Sequence, residues 1–360
     1  MPFLSVSYHN FRNIHDGTID LLSKEVYLIG ENGQGKSNIL ESLYISAYGS
    51  SFRTRVDSEI ITNTEQLCKI KALYTDNKGR TQTIGIQLGD SKKRIEKNTK
   101  LVHDRKELVD TIPCIVFNHD DLDFVAGSPD RKRFFIDQSL SLFDGSYIDV
   151  FRKYKKILKS RNLLLKDRNS NVLDAVDYQL AETGLAIIEK REKTIFSFNQ
   201  VFSKLYAEVS GIAGVTIDYS PVWKFDSIDK ILVFLSEKRT SDIEYGMTST
   251  GPHRDRIRFV KDKKAFVPTA STGQRRLLSL ILRSAQAQYY TDKTGKLPVL
   301  LMDDVLLELD PEKRQRMTTV LPEYDQLFCT FLPGEPYTKY QRSTTKVYFV
   351  KDGAVYDKEF

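Results

Sequence analysis

Apolar and polar positions alternate at the start of the chain, with Leu4, Val6 and Tyr8 in step, which predicts a short half-buried strand. Val26-Tyr27-Leu28-Ile29 is a continuous apolar run of the kind that fills a buried strand. After Ser37 the period becomes helical: Ile39, Leu40, Leu43, Tyr44 and Ala47 share one face, and Gly49 is a natural stop. Residues 69–113 read as strands and turns, broken at Asn77-Lys78-Gly79 and Gly89-Asp90. From about 130 to 210 the period is helical throughout, with no proline after Pro129. Phe134, Phe135, Leu140, Leu142, Tyr147, Phe151, Tyr154, Leu158 and Leu163 form one stripe; Leu180, Leu185, Ile188, Phe196 and Val201 form a second. Two long helices in succession predict a helical hairpin or arm. Strand-like segments return over 212–260, Leu277–Ala285 predicts a buried helix, and Val299–Met302 a buried strand. The expected fold is α/β, with a head built from 1–125 and 245–360 and an inserted, mainly helical domain over 126–244.

Composition narrows the class without changing that outline. A length of 360 residues suits two domains, and 40% apolar with 28% charged residues is ordinary for a soluble globular chain. No stretch approaches the roughly 20 apolar residues of a membrane helix, and the first residues lack a leader pattern, so a cytoplasmic protein without a membrane partner is expected. Cys68, Cys114 and Cys329 are far apart with no CxxC, which excludes a cysteine zinc site and fits a reducing compartment. The net charge of +6 is concentrated: residues 131–168 hold eleven basic and four acidic side chains. Such a cluster is either a polyanion-facing surface, with Lys153, Lys155, Lys156, Lys159 and Arg161 as phosphate contacts, or a solvated helical face.

Chemistry enters at residues 30–37, GENGQGKS, which has the phosphate-loop spacing between an apolar strand and an amphipathic helix. Gly30, Gly33 and Gly35 let backbone N–H groups of the loop, which also holds Glu31, Asn32 and Gln34, turn towards a phosphate. Lys36 supplies a point charge to the β- and γ-phosphates, the following helix adds its dipole, and Ser37 is a candidate Mg²⁺ ligand. Residues 298–304, PVLLMDD, form a buried strand ending in two acids, and unpaired buried charge is costly. In a phosphate-loop protein Asp303 would hold Mg²⁺, and Asp304 would orient the attacking water or take its proton. Asp310 precedes Pro311, so a helix-capping role stands level with one in catalysis. Ser271-Thr272-Gly273-Gln274 opens another helix; it is either a plain N-cap or a second anion site, which would sandwich one nucleotide between two chains.

Together these elements look like an ATP-binding-cassette-type ATPase, and the whole chain resembles the RecF family of DNA-repair ATPases, in the SMC-like branch. The residues that carry the resemblance are Asn10-Phe11-Arg12-Asn13, GENGQGKSN at 30–38, Asp121-Leu122, Gly127-Ser128-Pro129 and Arg131–Asp137. Further along they are Tyr154, Leu158, Arg161-Asn162, Leu164-Leu165, Gly251-Pro252-His253-Arg254-Asp255, STGQRR at 271–276 and LLMDDVLLELD at 300–310. The resemblance implies a cassette-type head with a helical insertion, ATP and Mg²⁺ as cofactors, an ATP-dependent homodimer, and binding to double-stranded DNA near single-strand gaps. It also implies action with RecR and RecO in loading RecA, with slow hydrolysis as a switch. By the same resemblance Arg12, Asn13 and Asn38 lie near the nucleotide. Ser271, Gly273 and Gln274 reach the γ-phosphate of the other subunit, and Asp310 sits at the dimer seam. The chain departs from the family pattern at Arg256, where a second acid is usual, and at His119, where proline is common. The strand 327–330 also lacks the histidine that transporters place against the γ-phosphate; Thr330 stands there. An ATPase subunit powering transport and a small-molecule phosphotransferase are the alternatives. The long insertion and the missing histidine argue against the first, and STGQ with the Asp303-Asp304 pair against the second.

Overall fold

A computed structural model describes residues 2–89, 92–168, 172–306 and 309–359; Asp90 of the expected break, and Leu307 and Glu308 beyond the acidic strand, lie outside them. The chain divides into two compact units, Met1–Asp121 with Gln286–Phe360, and Leu122–Ala285.

The first unit holds two six-stranded sheets. One is antiparallel, in the order β2-β1-β4-β5-β6-β7: β1 (Phe3–His9), β2 (Gly17–Asp20), β4 (Leu67–Thr75), β5 (Thr81–Gly89), β6 (Lys92–Lys97) and β7 (Lys100–Leu101). The other is mostly parallel, in the order β15-β14-β3-β13-β12-β8. Its strands are β3 (Glu25–Ile29), β8 (Cys114–Phe117), β12 (Val299–Met302), β13 (Gln326–Phe331), β14 (Thr345–Lys351) and β15 (Ala354–Tyr356). β3, β8, β12 and β13 are buried along their whole length, as parallel strands covered on both faces must be. β4 instead buries every second residue, Cys68, Ile70, Ala72 and Tyr74. These join Val26 and Leu28 of β3 and Ile39, Leu40 and Leu43 of α1 (Lys36–Tyr48) in a single core. Thus α1, which starts inside the phosphate loop, is fixed by both sheets. α2 (Lys106–Val109), α9 (Pro311–Thr319) and the end of a long helix from Gln286 on also belong to this unit.

The second unit is mainly helical: α3 (Leu122–Ala126), α4 (Pro129–Ser141), α5 (Gly145–Lys166), α6 (Leu173–Ser210), α7 (Ile228–Tyr245) and the first part of α8 (Thr272–Thr294). A three-stranded sheet of β9 (Val215–Ser220), β10 (Arg256–Lys261) and β11 (Lys264–Ala265) accompanies them. The unit runs to Ala285 rather than to 244, because β10 pairs with β9 over six residues and Arg283 of α8 bonds Gln138 of α4 at 3.0 Å. Residues 228–245 form a helix rather than a strand. Ile228, Ile231 and Leu235 recur at helical spacing there, and Ile231 and Leu235 are fully buried. Phe134, Leu163 and Phe196 belong to the expected stripes but face solvent, at 43, 53 and 71% exposure.

Buried arginines tie this unit together. Arg191 grips Asp137 by Nε and Nη2, both at 2.9 Å, and reaches Asp255 at 3.1 Å. Arg161 is wholly buried and donates to Asp177 at 2.6 Å, Asp242 at 2.7 Å and Thr248 at 2.9 Å. Arg161→Ala would leave Asp242 without a cation and Asp177 with Arg239 alone. Such a loss is expected to cost about 3–5 kcal/mol, whereas Lys159→Ala on the exposed side of α5 should stay within about 0.5 kcal/mol. Urea unfolding of both variants measures the contrast; equal midpoints would mean that the arginine is solvated in solution.

Candidate nucleotide-binding site

The phosphate loop leaves β3 at Gly30 and enters α1 at Lys36. Gly35 has φ 118°, a conformation that side chains rarely adopt, so the backbone demands glycine; a Cβ there would also press on Ile14 Cδ1 at 2.7 Å. The buried Lys36 ammonium donates to the carbonyls of Gly30 at 2.7 Å and Glu31 at 3.2 Å, which folds the loop around it. Asn13 Nδ2 donates to the Gly33 carbonyl at 3.1 Å, and Asn38 Nδ2 to Asn13 Oδ1 at 2.7 Å. Glu31, Asn32 and Gly33 are exposed at the rim.

Two supports were not legible as site residues. The turn between β14 and β15 clasps Gln34: the Gly353 N–H donates to the Gln34 carbonyl at 3.0 Å, and the Asp352 N–H to its side-chain oxygen. A Cβ on Gly353 would sit 1.7 Å from the Asn13 carbonyl, so only glycine lets these turns meet. The second support is Glu41, fully buried on α1. It receives Arg12 Nε and Nη2 at 2.9 and 2.7 Å, Arg53 at 3.4 Å and the Ser51 hydroxyl. Arg53 also donates to Asn38 at 2.5 Å. A carboxylate among Ile39, Leu40 and Leu43 was the available signal; its partners, at residues 12 and 53, were not.

At the other wall Ser37 Oγ donates to Asp303 Oδ1 at 2.7 Å, so the two proposed metal ligands are side by side. Burial raises the Asp303 carboxyl above the usual carboxylate range, and the neighbouring Asp304 charge adds to this. Asp304 has φ 52° and is clamped by Thr330, whose hydroxyl accepts from its N–H at 2.8 Å and donates to Asp304 Oδ1 at 2.7 Å. Thr330 therefore fixes the acid that ends the strand. Two hard oxygens side by side, from a hydroxyl and a carboxylate, match Mg²⁺, which uses few protein ligands beside a nucleotide. Among the described residues no cluster of three or more His, Cys, Asp or Glu could hold a metal unaided.

The remaining candidates have local partners of their own. Ser271 and Gln274 cap α8 reciprocally: the Ser271 N–H donates to Gln274 Oε1 at 2.8 Å, and the Gln274 N–H to Ser271 Oγ at 3.2 Å. A Cβ on Gly273 would meet nothing within 4 Å, so packing inside this chain does not require glycine there. Asp310 caps α9, accepting from the Lys313 N–H at 3.0 Å and from its ammonium at 2.7 Å, and the Lys313 contacts hold its carboxyl below the usual range. Of the proposed phosphate contacts, Lys153, Lys155, Lys156 and Lys159 are exposed on α5. Lys153 leans on Glu182 at 3.3 Å, and Lys155 lies 4.2 Å over the Phe151 ring. Arg161 is no surface contact, because its charge is spent inside the unit on Asp177 and Asp242. Asp255 is also buried, against Arg191, Tyr219 and the Val222 N–H, while Arg256 beside it is exposed.

The family model described as RecF/RecN/SMC N terminal domain matches residues 4–355. The DNA replication and repair protein RecF of Treponema pallidum (strain Nichols) is 49% identical over 350 residues, covering 97% of this chain and 99% of that protein. This chain belongs to the RecF family. The RecF of Clostridium tetani (strain Massachusetts / E88) is 34% identical over 96% of each chain. A solved structure of the recombination mediator protein RecF with ATPrS, in the RecFOR pathway, superposes with a TM-score of 0.86 at 26% identity, covering 98% of this chain and 97% of that one. The Smc head domain of Pyrococcus furiosus shares the fold at a TM-score of 0.58 and 15% identity. The RecF-family fold is thus the expected cassette-type head with a helical insertion. Among the described residues no helix is long and apolar enough to cross a membrane.

Proposed function

We propose that this chain is an ATP-gated DNA-binding switch of recombinational repair that resets by slow hydrolysis. The observation that carries the reading is the convergence of Lys36, Ser37, Asp303 and Asp304, from a phosphate loop and an acidic strand end, on one side of one sheet. ATP phosphates would bind the loop N–H groups and Lys36, whose ammonium has a third proton for a phosphate oxygen. Mg²⁺ held by Ser37 and Asp303 would offset charge on the β- and γ-phosphates. Asp304, oriented by Thr330, would receive a proton from the attacking water. As the water oxygen bonds to the γ-phosphorus, the bond to the β–γ bridging oxygen breaks, leaving ADP and phosphate.

Relatives act in DNA replication and repair and, by the RecFOR pathway, alongside RecO and RecR; we extend both to this chain. The open Gly273 at the capped start of α8 supports a shared site, with Ser271, Gly273 and Gln274 facing a γ-phosphate held by a second copy. The test is a fluorescence titration of gapped, nicked and intact duplex DNA, with and without ATP. ATP-dependent binding that favours the gap is expected; binding indifferent to ATP would remove the switch.

The exposed lysines of α5 are the proposed contacts to duplex phosphates. Each contact contributes a slope of about −0.9 in log affinity against log salt. Replacing Lys155 and Lys156 by Glu should flatten the slope by about 1.8 and weaken binding alike for all sequences. An unchanged slope would move the DNA site off α5.

A further inference from the structure

Glu41 is an anomaly on α1. A fully buried carboxylate needs compensation, and here it comes from two guanidinium groups and a hydroxyl that arrive from different loops. Arg12 stands in the turn after β1, at φ 51°, and Arg53 follows α1. Glu41 takes the Nε–Nη2 edge of Arg12; among the described residues, no bond to its Nη1 is seen. It takes Arg53 by Nη1 alone, and that side chain remains 41% exposed. Both arginines are thereby tethered by one edge beside the phosphate loop. Arg53 bonds Asn38, the residue after Ser37, and its charge acts on Asp303. Arg12 directly precedes Asn13, whose amide reaches Gly33.

We infer that Glu41 is a positioning residue for nucleotide binding: it holds Arg12 and Arg53 by one edge each and leaves their other edges to the triphosphate gripped by Lys36. The physical reason lies in the balance of charge and freedom. Glu41 carries one negative charge against the two of Arg12 and Arg53, so the trio keeps one positive charge for a polyphosphate. A free arginine would lose rotamer freedom on binding; one already anchored by a buried carboxylate loses less.

This inference rests on the assignment of residues 30–37 as the ATP loop, so the experiment separates the two. A fluorescent ATP analogue is titrated into the full chain carrying Glu41→Gln, Arg12→Ala with Arg53→Ala, the triple combination, and Lys36→Ala. Glu41→Gln is expected to weaken binding about tenfold, the scale of one charged hydrogen bond. In the background lacking both arginines the same change should shift affinity less than about twofold, because coupled residues are not additive. Wild-type affinity in Glu41→Gln, or an equal loss in both backgrounds, overturns the inference. If Glu41→Gln does not fold, Arg12→Ala and Arg53→Ala taken singly decide: each must weaken binding, and wild-type affinity in either one overturns it. If Lys36→Ala binds the analogue as wild type does, the loop assignment itself fails.

Discussion

A chain carrying Lys36→Ala is expected to bind no ATP, and one carrying Asp304→Asn to bind it as wild type does while hydrolysis falls about 10²–10⁴-fold. The two effects differ because the residues meet the nucleotide at different stages. Lys36 is buried within the loop and would meet phosphate charge in the ground state, so its loss removes the one cation that the loop itself supplies. Asp304 is held at the strand end by Thr330 and, in the proposed role, would act on the water only as the bond forms. Asparagine keeps the left-handed backbone that Asp304 adopts, a region it enters readily, and can still accept from Thr330. It cannot take the proton. ATP should therefore hold the Asn chain as a dimer for longer than wild type, which light scattering during a single turnover reads directly. A monomeric Asn chain in ATP, or one that hydrolyses at the wild-type rate, removes Asp304 from the assigned role.

Most of this site was legible because its chemistry is local. The phosphate loop is one run of residues whose glycines, lysine and serine take their meaning from spacing. The acids at 303 and 304 stand out because a buried strand has no other reason to end in charge. The unread parts are those that depend on distant segments meeting. Gly353 follows Gln34 by more than three hundred residues, and nothing in DGAV says that its turn lies on the phosphate loop. The arginines of Glu41 come from residues 12 and 53. Arg161 shows the opposite failure. Within a run of lysines it reads as one more surface cation, yet helical phase puts it on the buried side with Tyr154, Ile157 and Leu165. Only the acids at 177 and 242 make that position tolerable. The helix over 228–245 was hidden by Ile231, Leu232, Val233, Phe234 and Leu235, an apolar run that reads equally as a strand until its neighbours are known.

Mixing two inactive variants should restore roughly a quarter of wild-type turnover, if each site is shared between two chains. The variants are Lys36→Ala, which cannot hold phosphate, and Ser271→Arg, which sets a bulky cation on the facing helix start. Each homodimer has two damaged sites. Random pairing makes about half of the dimers mixed, and every mixed dimer pairs one doubly damaged site with one intact site. Ser271 also caps α8 through Gln274, so its replacement carries a stability cost of about 1 kcal/mol that must be separated from the block. Ser271→Ala is the control: it loses the cap without adding charge, and should keep far more activity than the Arg variant. Native mass spectrometry establishes that mixed dimers have formed. With mixed dimers present, a quarter of the activity requires that the phosphate loop of one chain works with the α8 start of the other. If mixed dimers form and turnover stays at zero, independent shared sites are ruled out. Full activity in Ser271→Arg alone would make Ser271 and Gln274 a helix cap and nothing more.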